Sequence, residues 1–202
     1  MQPYMGMTYC SSLCTRAIMA FHPKLICMTG ICAGRKDKAN LGDIVVASSV
    51  FDYAEGKQYA DRFAPRPKTR SLDYLLSEFI SGEIVDKQSV IDRITAGYDG
   101  APEGTSVSFH TMASGAVVVD DPAVMQMIAE LQDDTVALDM EGYALATAAD
   151  MMDTKWLVIK TIQDFADGNK SATEGSIRPY AAYSSAKLLE IILENLDIDE
   201  YY

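Results

Sequence analysis

Positive charge is scarce in this chain. Seventeen Lys and Arg stand against 29 Asp and Glu, for a formal net charge of −12, and the one tight basic group is Arg35, Lys36 and Lys38. So acidic a chain is repelled by phosphate backbones and by anionic headgroups, so neither nucleic acid nor a membrane surface is expected as a partner. No apolar run approaches the roughly 20 residues of a membrane-spanning helix. Met1–Met7 has neither a basic start nor a long apolar stretch, so no secretory leader is expected and the protein is read as cytoplasmic. Cysteine is confined to Cys10, Cys14, Cys27 and Cys32, with no Cys-x-x-Cys pair. Buried, reduced thiols fit this pattern better than a zinc site, and neither a metal nor a cofactor is expected. Gly30-x-x-x-Gly34 is followed by no Lys-Ser/Thr and does not form a GxGxxG pattern, so neither phosphate-binding fingerprint is present. Internal repeats are lacking too.

What is there is ordinary globular material: 202 residues, 49% hydrophobic and 23% charged, enough for a single domain spanning 1–202 with a full core. Met7–Phe21 reads as a helix, ended at His22-Pro23 because the residue before proline is pushed out of the α region. Leu25–Met28 reads as a buried strand and Thr29–Gly34 as the small-residue loop at its end. Ile44–Ala47 and Val50–Tyr53 read as strands, Ser71–Ile80 and Lys87–Ala96 as helices, and Ser106–His110 as a strand. Pro122 suits the first turn of a helix over Ala123–Leu131. A polar loop is expected over Asn169–Ser176. An amphipathic helix should follow from about Pro179 to Leu196, with a frayed acidic tail at Asp197–Tyr202. Strands alternating with helices give an α/β fold, a three-layer αβα sandwich around a mixed, largely parallel sheet.

The stretch Thr135–Gly168 carries the chemistry. Thr135–Leu138 is a short apolar run that breaks at Asp139-Met140-Glu141, Gly142–Met152 has helical spacing, and Trp156–Ile162 is a β-branched run that stops at Gln163-Asp164. Two neighbouring parallel strands joined by a helix would place Glu141 and Asp164 at strand ends, where ligands of open α/β sheets gather. A cap on the following helix is the competing role for Glu141. Asp139 and Asp167 are further candidate acids, while His22 and His110 read as structural.

Three segments in order resemble a known family: MTGICAG with LGDIVVAS (Met28–Ser48), ALDMEGYALA (Ala137–Ala146) and VIKTIQDFADGNK (Val158–Lys170). They are similar to the purine nucleoside phosphorylase/uridine phosphorylase superfamily, and most of all to its 5′-methylthioadenosine/S-adenosylhomocysteine nucleosidase-like branch. Tyr180–Ala186 resembles the closing helix of a subgroup often fused to signalling or defence modules.

The resemblance implies an N-glycosyl hydrolase acting on a purine nucleoside or nucleotide. Asp164 would protonate the leaving base, and Met140 and Glu141 would hold the ribose. Ile31, Cys32 and Ala33 would lie along base and sugar. Val118 or Val119 stands near the position of a stacking aromatic, and Gln163 where Ser or Cys is usual. Met28 and Ile31 occupy the places of a phosphate-gripping Arg and Ser, which makes phosphorolysis the weaker reading. The family domain normally opens with further strands that carry a water-activating carboxylate, so this chain resembles an N-terminally truncated form. A nucleoside-binding module of a larger assembly is therefore the alternative to an enzyme. The nucleosidase branch further implies a homodimer.

Overall fold

The computed structural model describes residues 4–168 and 170–197. The strand Lys155–Asp164 is buried at every position after its first residue. Such continuous burial needs cover on both faces, and the rest of the chain supplies it. In chain order the elements are α1 (Met7–Phe21), β1 (Leu25–Gly34), β2 (Ile44–Asp52), β3 (Gly56–Gln58), β4 (Phe63–Pro65), β5 (Thr69–Ser71), α2 (Tyr74–Phe79) running into a π-helical turn (Ile80–Ile84), α3 (Gln88–Thr95), β6 (Val107–Ser114), α4 (Pro122–Leu131), β7 (Thr135–Asp139), α5 (Gly142–Met151), β8 (Lys155–Asp164) and α6 (Lys170–Asn195).

Six strands form one sheet in the order β5-β2-β6-β7-β1-β8, and β8 returns to pair with β2. Strands β2, β6, β7, β1 and β8 therefore close a ring. The long pairings, β1 with β8 and β2 with β6, are parallel. The short ones that β2 makes with β5 and β8 are antiparallel. One flank of β2 is shared between two partners. Ile44, Val45 and Val46 pair with β8, and Ser49, Val50 and Phe51 pair with β5. The handover coincides with a register shift between Ala47 and Ser49, the local kink expected of a bulge. The fold is thus mixed α/β with a helix-flanked central sheet, as the alternation of elements implies, and curls further than an open sandwich.

Three local expectations are corrected. Residues 29–34 are strand rather than loop, continuing β1 alongside β8. Gly34 serves close packing, since a Cβ there would lie 2.7 Å from the Ile162 side chain, whereas one on Gly30 would meet Lys160 Nζ at 3.4 Å, an ordinary contact. Secondly, β7 and β8 are not neighbours, because β1 lies between them and runs antiparallel to β7. Thirdly, α6 begins at Lys170 and carries Pro179 inside it, so the polar segment expected to loop is helical there. The carbonyl that Pro179 leaves without its N–H partner belongs to exposed Gly175, where no side chain crowds the ring. Asn169 and most of the expected frayed tail, residues 198–202, lie outside the described residues.

The helices position the site. Alanine-rich α5 packs on β8, β2 and β6, and α1 lays Cys10, Cys14 and Ile18 against α5. His22 ends α1 in a left-handed conformation, its N–H bonded to Ile18 O, immediately before Pro23. Helix α6 covers β8 and β1, with Thr161 and Ser184 hydroxyls 2.9 Å apart. Among the described residues no helix is long and apolar enough to cross a membrane.

Candidate active site

Strand β8 ends where its ladder with β1 slips. Cys32 pairs with Ile162, but Ala33 pairs with Asp164, so Gln163 is the extra residue of a bulge. Both oxygens of Asp164 are held: Ala166 N–H donates to Oδ1 at 3.0 Å, and Gln163 Nε2 donates to Oδ2 at 3.1 Å. Ala166 adopts φ 52°, a left-handed conformation costly for a residue with a side chain. That turn aims its N–H at the carboxylate.

The end of β7 divides two tasks between two acids. Asp139 caps α5, accepting from Gly142 N–H at 2.9 Å, and takes a second bond of 2.6 Å from Ser114 Oγ. Glu141 sits at the N-cap position but makes no capping bond with its side chain. The capping role weighed for Glu141 thus falls to Asp139. Glu141 Oε1 instead accepts from Gly6 N–H at 2.8 Å. Gly6 has φ 106°, a backbone conformation open to glycine.

Between these acids stands Lys160, its side chain 5% exposed. Its Nζ lies 3.0 Å from Asp139 Oδ2 and 3.7 Å from Glu141 Oε2. Burial works to discharge the ammonium. The carboxylates of Asp139 and then Glu141 outweigh it, so its pKa lies above the usual lysine value. One cation thus balances one of two carboxylates. The remaining negative charge, with Asp164 nearby, suits a centre that turns cationic during reaction.

The three acids, Asp139, Glu141 and Asp164, line a cavity of about 270 Å³, and Lys160 lies behind its wall. Asp164, Gln163, Met140 and Glu141 line one part of it, Ile31, Cys32 and Ala33 on β1 another, and Val118 and Val119 a third. Burial pushes the Cys32 thiol well above its ordinary pKa, so Cys32 enters this wall as a neutral, apolar group. The ends of β7 and β8, which run in opposite directions, meet across β1, where Ala33 pairs with Leu138 on one side and with Asp164 on the other.

Other expectations fall elsewhere. Met28 is not part of the lining, nor is Asp167, which faces Lys36 at 3.5 Å. His22 ends α1, and His110 Nδ1 lies 3.0 Å from Asp134 Oδ1, away from the cavity. The four cysteines are free, and no cluster of metal-binding side chains occurs among the described residues. Sequence reasoning missed Lys160, although a lone lysine inside the apolar run Trp156–Ile162 was a signal, since a charge on a doubly covered strand requires partners. It also missed Met5, Val117 and Arg178 of the lining.

Residues 1–194 match the family model described as Phosphorylase superfamily. The chain belongs to the phosphorylase superfamily. An uncharacterized protein of Sinorhizobium fredii is 32% identical over 203 residues, covering 96% of this superfamily member and 48% of that protein. An ATP nucleosidase of Escherichia coli is 27% identical over 190 residues, covering 88% of this chain and 38% of the enzyme. The chain thus spans about half, or less, of the length of these relatives. Among solved structures, the 5′-methylthioadenosine/S-adenosylhomocysteine nucleosidase of Neisseria meningitidis, in complex with methylthio-immucillin-A, is similar with a TM-score of 0.72. Identity there is 18%, over 95% of this chain and 78% of that one, a likeness of fold.

Proposed function

We propose that this protein is a nucleosidase that hydrolyses the N-glycosidic bond of a purine nucleoside, of the methylthioadenosine or adenosylhomocysteine kind, or of a nucleotide. The observation that carries the reading is Glu141 and Asp164 on one cavity, each fixed by backbone N–H groups and neither used as a helix cap. The nucleosidases among its relatives support the same reaction class.

In this mechanism the bond between the sugar C1′ and the base nitrogen breaks with its electron pair going to the base. Asp164 delivers a proton to the base and makes it a neutral leaving group. The sugar becomes oxocarbenium-like, and the carboxylates of Asp139 and Glu141, one of them balanced by Lys160, stabilise that charge. Glu141 accepts hydrogen bonds from the ribose hydroxyls, for which an ionised carboxylate is suited. Met140 and Val118 pack on the sugar and base. Water supplies its oxygen to C1′, and its surplus proton restores the acid that was spent. The protein acts as a cytoplasmic homodimer on this reading. The exposed apolar residues of α1, Tyr9, Leu13, Met19 and Phe21, support association.

The test is release of free adenine from 5′-methylthioadenosine in phosphate-free buffer. Asp164→Asn should cut the rate by about 10²-fold or more with the melting temperature kept. Unchanged turnover in that variant removes Asp164 from the mechanism, and a requirement for phosphate converts the reaction to phosphorolysis.

A further inference from the structure

Gln163 is 5% exposed and lines the cavity beside Asp164. Its two amide ends have unequal fates. Nε2 donates to Asp164 Oδ2 at 3.1 Å, whereas Oε1 is buried with no hydrogen-bond partner among the described residues. A buried amide oxygen without a donor is a cost that folding alone does not recover. Turning the amide over would not relieve it, because the oxygen would then face Asp164 Oδ2, an accepting oxygen; the proton that Asp164 delivers to the base is carried on its other oxygen, Oδ1. The other oxygen of Asp164 is already engaged by Ala166 N–H, so that carboxylate keeps its orientation. The wall of the cavity therefore holds a locked acceptor next to the acid.

We propose that Gln163 is a specificity-determining residue that reads the 6-position of the purine, its orphan amide oxygen accepting a hydrogen bond from an exocyclic amino group. This rests on the nucleosidase reading, in which Asp164 faces the ring nitrogen that takes the proton. On that edge of a purine the group beside N7 is the 6-substituent: a donor amino group in adenine, an acceptor oxygen in guanine and hypoxanthine. With its amide NH₂ committed to Asp164, Gln163 has a donor for neither 6-oxo base. A 6-oxo purine would bring two acceptors face to face, and each would lose its water without gaining a partner. A 6-amino purine satisfies the orphan and leaves the Asp164 bond intact. The bulge that makes Gln163 the extra residue of β8 explains how consecutive side chains, which ordinarily alternate across a strand, reach one wall.

The experiment is calorimetric titration of the full chain with adenine, hypoxanthine and unsubstituted purine, which requires no turnover. Adenine should bind roughly 10- to 100-fold more tightly than hypoxanthine, the range for leaving a buried polar group unpaired, and purine should also bind more weakly than adenine. In Gln163→Met, of similar volume but with no acceptor, the adenine-to-hypoxanthine ratio should fall to within about 3-fold, a residual without the hydrogen bond. A purely structural role for Gln163 would weaken both bases equally and leave the ratio unchanged, which overturns the inference. Equal affinity for adenine and purine in the native protein, a preference for hypoxanthine, or no base binding at all overturns it without the variant. Adenine selectivity without nucleoside hydrolysis would end the nucleosidase reading alone. Hydrolysis that is indifferent to the 6-substituent would end this inference alone.

Discussion

Lys160 Nζ lies 3.0 Å from Asp139 Oδ2, the two side chains 5% and 1% exposed. A buried pair of this kind is a weak source of net stability but a strong liability once broken, because the surviving charge keeps its desolvation cost.

Lys160→Met should therefore destabilise the fold by roughly 3–5 kcal/mol, since it strands two carboxylates. Adding Asp139→Asn to that variant should recover part of the loss. Urea denaturation of the single and double variants measures both effects. A Lys160→Met protein as stable as the native one would mean that the pair contributes nothing.

The same lysine sets an alkaline limit. Its folded pKa is raised above the ordinary value of 10.5, the carboxylates of Asp139 and Glu141 outweighing burial. The folded state therefore binds this proton more tightly than the unfolded chain does. Its contribution is complete below about pH 10.5 and lost as pH climbs through the raised value. Melting temperature against pH from 8 to 12 should show a fall at the top of the range that is smaller in Lys160→Met.

Gly115 precedes the valine wall, and a Cβ there would lie 2.1 Å from the edge of the Tyr53 ring, itself 7% exposed. Gly115→Ala should cost roughly 1–3 kcal/mol by overpacking, and it should weaken adenine binding by shifting Val118 and Val119. Thermal melts with base titration test this, and Tyr53→Leu should relieve the clash. Unaltered affinity in Gly115→Ala would show that the wall moves independently of its anchor.

Two of the thiols, Cys27 and Cys32, should be inert in the native protein. Burial pushes Cys27 up to about 12 and Cys32 higher still. Iodoacetamide at pH 7.5 should label both only after denaturation, as followed by peptide mass spectrometry. Fast native labelling of Cys32 would mean that the β1 wall opens to solvent.

How much of this was legible in the chain depended on the range of the interaction. Helix α1 ends where His22-Pro23 says it should, and Pro122 opens α4 with Asp121 capping Ala123 N–H, because those signals are local. Residues 29–34 were misread because Gly30 and Gly34 look like turn residues until β8 is set beside them. The lack of a side chain at Gly34 answers to Ile162, more than a hundred positions away. Likewise Pro179 suggested a helix start, but exposed Gly175 accommodates it in mid-helix. Glu141 and Asp164 were readable as strand-end acids, whereas the lysine that balances one of them appeared as an unremarked charge in an apolar run. The closure of β8 onto β2 leaves no mark in hydrophobic pattern, because backbone groups make it.

That closure has a kinetic consequence. Strand β2 is hydrogen-bonded along one flank by β6 and along the other by two separate partners, β8 over residues 44–46 and β5 over residues 49–51. Fraying of the short β5 exposes only the later amides. The earlier ones are released only when the whole hoop of strands comes apart. Deuterium uptake should accordingly divide this flank in two, with the Val45 amide, which faces β8, exchanging at the rate of global unfolding and the Val50 amide, which faces β5, ahead of it.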